Sequence, residues 1–152
     1  MKHSNRPTIL LIDNDGTARQ ILRNCLARMD CRLLEACTAA QGLALVRSFR
    51  PTLVLTDIDM PDMDGVDLIR QIRAEKHSIV LAISGLATLN FVIASLDAGA
   101  DDFIPKPFSK GELRARVRVA LRHAAMNLET ESVMPRDLVN AYGVGYQPQG
   151  GY

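Results

Sequence analysis

Asp57 ends the apolar run Leu53-Val54-Leu55-Thr56 and leads almost directly into Met60-Pro61-Asp62-Met63-Asp64-Gly65. A carboxylate at the tip of a buried strand, ahead of a Pro/Gly turn, lies on the edge of a parallel sheet where ligands bind. Three further groups occupy comparable strand ends: Asp13 with Asn14 and Asp15, then Ser84, then Lys106. Singly, each has a plain explanation. Asp and Asn are common in turns and helix caps, Ser84 can cap the helix after it, and Lys106 can sit in solvent. All four ends share one edge of the sheet, however. Acids, a hydroxyl and an ammonium gathered around one carboxylate suit Mg2+ and a phosphoryl group.

The elements that must position them follow from alternating apolar runs and amphipathic stretches. Thr8 to Asp13 reads as a buried strand and Thr17 to Met29 as a helix with Ala18, Ile21, Leu22, Cys25 and Leu26 on one face. Arg32 to Ala36 is a short strand, and Thr38, with Gln41 at capping-box spacing, opens a helix to Ser48. Pro51 precedes the strand Leu53 to Asp57; Gly65 to Ala74 is the third helix and Ser78 to Ser84 the fourth strand. Ala87 to Ala98, ended by Gly99, is the fourth helix, and Asp102 to Pro105 the last strand. Ser109 and Glu112 cap a final helix running to about Met126. This alternation predicts right-handed βαβ units, hence an α/β fold with a parallel sheet covered on both faces. Prolines on both sides of Lys106 keep that segment out of a helix and allow a cis peptide before Pro107.

The bulk numbers narrow the function. A chain of 152 residues, 47% hydrophobic and 23% charged, suits one globular domain with a real core. A net charge of +1 gives no global field toward nucleic acid or an anionic membrane. No apolar stretch approaches membrane-spanning length, and Met1 to Pro7 lacks the apolar core of a signal peptide, so a cytoplasmic protein without membrane contact is expected. Cys25, Cys31 and Cys37, odd in number and six apart, do not fit a zinc pattern; buried or half-buried free thiols are expected. His3, His77 and His123 are scattered and expected at the surface.

Together the motifs resemble the receiver domain of two-component response regulators. They are Leu-Ile-Asp13-Asn14-Asp15, Asp57 with Met60-Pro61-Asp62-Met63-Asp64-Gly65, Ser84-Gly85, Gly99-Ala100-Asp101-Asp102-Phe103 and Lys106-Pro107-Phe108. The likeness spans roughly Thr8 to His123, and Leu96 to His123 most resembles OmpR-type winged-helix regulators. It implies a doubly wound (βα)5 flavodoxin-like sheet of strand order 2-1-3-4-5. It further implies that Asp57 accepts a phosphoryl group from the phosphohistidine of a sensor histidine kinase or phosphotransfer protein. Asp13, Asn14, Asp57 and the backbone carbonyl of Asp59 would surround Mg2+. Ser84 and Lys106 would meet the phosphoryl oxygens, and Phe103 stands where the family has an aromatic that changes rotamer on activation. The family usually has two acids where this chain has Asp13 and Asn14. An amide oxygen offers Mg2+ a dipole without a charge, so weaker metal binding is expected.

A rival resemblance uses the first motif alone. Asp13-Asn14-Asp15-Gly16-Thr17 is similar to the nucleophile motif of haloacid-dehalogenase-type phosphatases, with Asp13 as nucleophile, Asp15 as general acid, and Ser84, Lys106 and Asp101 or Asp102 in support. That reading needs an excursion after the motif where a helix is predicted, and it leaves Asp57 idle.

Two surfaces remain. The fourth helix is apolar nearly all round, so some of Leu89, Phe91 and Val92 should be exposed and take a downstream protein or a second copy. The receiver resemblance puts Val92 where OmpR-type receivers carry a basic residue that pairs with the acid at Glu112, so apolar contact would replace that charge pair. Residues 1–7 read as an N-terminal tail, 8–126 as the receiver and 127–152 as a C-terminal tail. The 26 residues from Asn127 are below the ~40 usually needed for an independent core. Pro135 to Tyr146 resembles the closing hairpin of a winged helix without its recognition helix. A stand-alone receiver with no specific DNA binding, signalling by protein contact, is the expectation.

Overall fold

The computed structural model describes residues 6–85 and 89–133, with side chains through Asn127. The expected start of the fourth helix at Ala87, the N-terminal tail as far as Asn5, and the stretch Pro135 to Tyr146 lie outside the described residues. The chain divides into two compact units, residues 1–121 and 122–152.

The first unit alternates strand and helix. β1 (Thr8–Ile12), α1 (Gly16–Leu26), β2 (Arg32–Ala36), α2 (Ala39–Phe49) and β3 (Leu53–Asp57) come first. They are followed by α3 (Gly65–Ala74), β4 (Ile79–Ser84), α4 (Leu89–Asp97), β5 (Asp102–Pro105) and the start of α5 (Lys110–Val133). All strands are parallel, in the order β2-β1-β3-β4-β5. The second unit, where described, is the continuation of α5 from Arg122 to Val133.

Both faces of the sheet are covered, which explains runs such as Ile9-Leu10-Leu11-Ile12 in place of a polar alternation. Because strand side chains alternate between faces, Leu10, Ile12, Val54, Val80, Ala82 and Phe103 pack under α2, α3 and α4. Ile9, Leu11, Leu55, Leu81, Ile83 and Ile104 pack instead with Leu22, Cys25 and Leu26 of α1 and Leu113 and Val117 of α5.

The helix starts are held by side chains. Asp15 caps α1 by accepting from the N–H of Thr17, and Thr38 caps α2 by accepting from that of Gln41. The Gln41 amide oxygen reaches one residue past the box position and accepts from the Cys37 N–H at 2.9 Å. Ser109 Oγ accepts from the Glu112 N–H at 3.0 Å, while the Glu112 carboxylate turns to Arg116, 3.5 Å away.

Several expectations need correction. α1 ends at Leu26, and Ile21 is 50% exposed, because only Leu22, Cys25 and Leu26 are buried on that helix. Cys37 is exposed at the start of the β2–α2 loop, whereas Cys25 is buried and Cys31 half-buried. Burial pushes the Cys25 and Cys31 thiols up from their ordinary range, away from the reactive thiolate form. α5 passes through Met126 and continues to Val133. The shift toward polar residues there is compatible with helix, and the first proline after Pro107 is Pro135. The Lys106–Pro107 peptide is cis. His77 and His123 are exposed, as expected.

Candidate functional site

Register assembles the site. β1 lies between β2 and β3, with Ile12 beside Thr56, so the next residues along these strands, Asp13 and Asp57, leave the sheet side by side. Asp57 is beside Ile83, one residue before Ser84, and Ser84 is beside Pro105, one residue before Lys106. The chain reverses direction across the sheet between β1 and β3, and ligands of such sheets bind in the crevice at this switch point.

Asp13 is 2% exposed and held through each of its polar groups. Its N–H donates to Ala36 O at 3.1 Å, and its Oδ1 accepts from the Asp15 N–H at 2.9 Å. Its backbone carbonyl accepts from Arg19 Nη1 at 2.6 Å, and Lys106 Nζ donates to its Oδ2 at 3.4 Å. Asp57, 7% exposed, accepts from the Asp59 N–H on Oδ1 at 3.2 Å and faces Lys106 Nζ with Oδ2 at 3.8 Å. One ammonium therefore sits against both carboxylates.

Burial is the main influence on the Asp57 carboxyl and pushes its pKa above the usual carboxylate range. The Asp59 N–H and the Lys106 ammonium oppose that rise, while the charges of Asp13 and Asp59 add to it. The site thus carries uncompensated negative character that a cation would relieve.

Among the expected site residues, Asp13, Asp57 and Lys106 come together at the distances above. Ser84 is fully buried at the end of β4, and its carbonyl accepts from the Lys106 N–H at 2.8 Å. Asn14 and Asp59 are exposed on the loops beside Asp13 and Asp57. Phe103 is buried on the α2–α3–α4 face of the sheet, in the cluster against which Phe91 and Val92 of α4 pack. Asp15 spends its carboxylate on the cap of α1.

Two polar anchors were not singled out from sequence. Asp62 accepts from the N–H of Ala39 on Oδ1 at 3.0 Å and of Ala40 on Oδ2 at 3.1 Å, tying the β3–α3 loop to the start of α2. These two donors lower its pKa. Glu35 binds Arg19 at 3.0 Å and Arg23 at 2.7 and 2.8 Å. The signal for the second anchor was present: an acid in the strand Leu33-Leu34-Glu35-Ala36, and two arginines four apart on a helix.

The donor set fits Mg2+, which is usually held by one or two carboxylates with water and substrate phosphate completing its shell. Asp13 and Asp57 supply two such groups. Among the described residues no cluster of three acidic, His or Cys side chains could hold a metal.

A pocket of about 430 Å³ adjoins the acids, lined by Asp13, Asp15 and Lys106 and walled by Ala18, Ile21 and Leu22 of α1 and by Pro107 and Phe108. It is an apolar flank to a charged site.

A five-stranded parallel sheet of this order, covered by helices on both faces, is the flavodoxin-like fold. The response regulator receiver domain family matches residues 9–118, and the chain belongs to that family. It is 40% identical over 118 residues to the KDP operon transcriptional regulatory protein KdpE of Escherichia coli (strain K12), covering 77% of this chain and 52% of the relative. It is 35% identical over 126 residues to the response regulator MprA of Mycobacterium avium (strain 104), covering 82% and 55%. The chain thus spans about half the length of these curated relatives. Among solved structures, a CheY-like receiver domain protein from Methanospirillum hungatei JF-1 superposes with a TM-score of 0.76 at 27% identity, covering 81% of this chain and 99% of that one.

The phosphatase alternative is not supported. α1 begins at Gly16, one residue after its Asp15 cap, which leaves no excursion behind Asp13, and Asp15 is committed to that cap. No helix among the described residues is long and apolar enough to cross a membrane.

Proposed function

We propose that Asp57 is the phosphoryl acceptor of this receiver, taking the group from the phosphohistidine of a sensor kinase or phosphotransfer protein. The observation that carries the proposal is the Lys106 ammonium between the Asp13 and Asp57 carboxylates at the switch point. An Asp57 carboxylate oxygen forms the new P–O bond as the P–N bond of the donor breaks. The bonding pair leaves with the imidazole, which takes up a proton, and an acyl phosphate remains. Phosphoryl transfer of this kind depends on positioning and charge neutralisation. Lys106 supplies a positive charge within reach of the transferred oxygens, and Ser84 lies one step past Asp57 on the neighbouring strand to meet them.

Asp13, Asp57, the Asp59 carbonyl and Asn14 are the groups proposed to hold Mg2+, which would neutralise the phosphoryl oxygens. Phe103, packed near Phe91 and Val92, is the proposed relay from the site to α4. Incubation with Mg2+ and a small phosphodonor, followed by intact mass, tests the acceptor reading. A gain of one phosphoryl group is expected, and an unchanged mass under conditions that label another receiver would sink it.

Asn14 has its own expected result. Asn14→Asp should tighten Mg2+ binding by adding a charged oxygen, and should lower the metal-free melting temperature by adding like charge beside Asp13 and Asp57. Calorimetric titration and chelated melts check both. An unchanged affinity would place residue 14 outside the coordination shell.

Output is assigned to α4. Leu89 is 73% exposed, Ile93 47% and Leu96 43%, at spacings that put all three on one stripe. Phe91 and Val92 are half-buried against the core, so the exposed stripe differs from the expected set except at Leu89. Arg116 is already paired with Asp102 at 2.7 Å and lies 3.5 Å from Glu112 in the same chain. We assign the stripe to a second copy of this chain, held by apolar contact. Sedimentation of phosphorylated Leu89→Lys and Ile93→Lys should show loss of the dimer; a dimer that survives both changes lies elsewhere.

A further inference from the structure

Arg19 is bound by two acceptors from different parts of the fold. Its Nη1 donates to the backbone carbonyl of Asp13 at 2.6 Å, and its Nε to Glu35 Oε1 at 3.0 Å. The side chain is 20% exposed, so both contacts are partly withdrawn from solvent. Arg23 occupies the other side of Glu35, with Nη1 at 2.7 and 2.8 Å from its two oxygens, and makes no hydrogen bond to the β1–α1 loop among the described residues.

We propose that Arg19 is a positioning residue for the metal-binding loop: through the Asp13 carbonyl it fixes the peptide that carries Asp13 and Asn14, and Glu35 holds Arg19 in place. This rests on the reading of Asp13 as a metal ligand given above. The direction of the Asp13 carboxylate depends on the peptide planes on either side, and the N–H of Asp13 is fixed by Ala36. The carbonyl side would otherwise face the open start of α1, and Arg19 closes it with a charge-assisted hydrogen bond. The need is sharper here because residue 14 is an amide. With one fewer anionic oxygen drawing the loop around the cation, the protein must supply more of the ordering in advance. Outer partners that orient a ligand typically change metal affinity about 10–100-fold when removed.

The arginine also brings a positive charge near the metal. If that charge dominated, its removal would tighten Mg2+ binding. Loss of positioning has the opposite sign: without Arg19 the loop is less ordered and Mg2+ binding weakens.

The test is Mg2+ titration by calorimetry on the full chain, with melting curves of each variant in chelator. Arg19→Ala is expected to weaken Mg2+ binding about tenfold or more. Glu35→Gln, which leaves Arg19 with only a neutral amide oxygen as its second acceptor, should weaken it by less. Arg23→Ala loses the stronger contact to Glu35 and should melt lower, yet bind Mg2+ as the unaltered protein does. This separation of stability from metal affinity is what a merely structural ion pair would not produce. Unchanged or tighter binding in Arg19→Ala, or equal weakening in Arg19→Ala and Arg23→Ala, overturns the proposal. Should Arg19→Ala fail to fold, Glu35→Gln against Arg23→Ala decides the same point. If the unaltered protein takes up no Mg2+, the metal reading of the site fails and this inference falls with it; the preceding outcomes leave that reading intact.

Discussion

Asp57→Asn is expected to abolish phosphoryl uptake and, at the same time, to raise the melting temperature of the metal-free protein at neutral pH. The first effect removes the nucleophilic oxygen; Asp13→Asn, by contrast, should slow labelling by weakening the metal site while leaving an acceptor in place. The second follows from burial. The Asp57 carboxyl holds its proton to higher pH in the folded chain than in the unfolded one. Between those two values the folded state binds more protons, so stability falls as pH rises, and above the folded value the penalty stays in full. A neutral amide carries no such penalty. The advantage of Asp57→Asn should therefore be largest above the raised folded value and shrink as pH falls from there to the ordinary carboxylate value, below which Asp57 is protonated in both states. Added Mg2+ should narrow the gap by neutralising the acids of the unaltered protein. Melting curves with chelator across pH, paired with mass analysis, read both effects. A variant that still gains a phosphoryl group would move the acceptor away from Asp57.

Gly65→Ala should cost stability even though alanine favours helix over glycine by about 1 kcal/mol. Gly65 is the first residue of α3, after the Asp64 cap, whose Oδ1 accepts from the N–H groups of Val66 and Asp67. A methyl group there would lie 2.1 Å from the Ile58 carbonyl oxygen and 2.5 Å from the Ile58 Cα. These are backbone atoms that cannot rotate aside, and the Ile58 N–H is tied to Ile83 O on β4 at 3.2 Å. Either α3 must lift or the peptide after Asp57 must shift. Overpacking of this kind costs about 1–3 kcal/mol, and here it outweighs the helix preference. Because Ile58 follows the acceptor, phosphoryl uptake should slow as well. Chemical denaturation gives the first result and labelling rate the second. A variant as stable as the parent would mean that the β3–α3 loop absorbs the methyl group freely.

The local determinants of this protein were legible in its sequence. Alternating runs placed all five strands to within about one residue, because a strand buried on both faces must be apolar throughout and a covering helix must not be. The caps Thr38 and Ser109 were legible because a cap is a contact between residues a few positions apart. Asp13, Asp57, Ser84 and Lys106 could be named as a group because strand ends are visible and all parallel strand ends share one edge. Tertiary packing decided what lay across longer separations. Ile21 lies on the apolar side of α1, yet it is exposed on the wall of the pocket it shares with Lys106 and Phe108, while Leu22, Cys25 and Leu26 take the places against the sheet. The apolar α4 offered no contrast from which to choose its exposed stripe, and packing against Phe103 and its neighbours left Leu89, Ile93 and Leu96 outside. Arg19 on Glu35 and Asp62 on α2 depend on how different βα units meet. No periodicity encodes such a meeting: polar surface residues are compatible with many partners, and only the packed sheet brings one pair within hydrogen-bond reach.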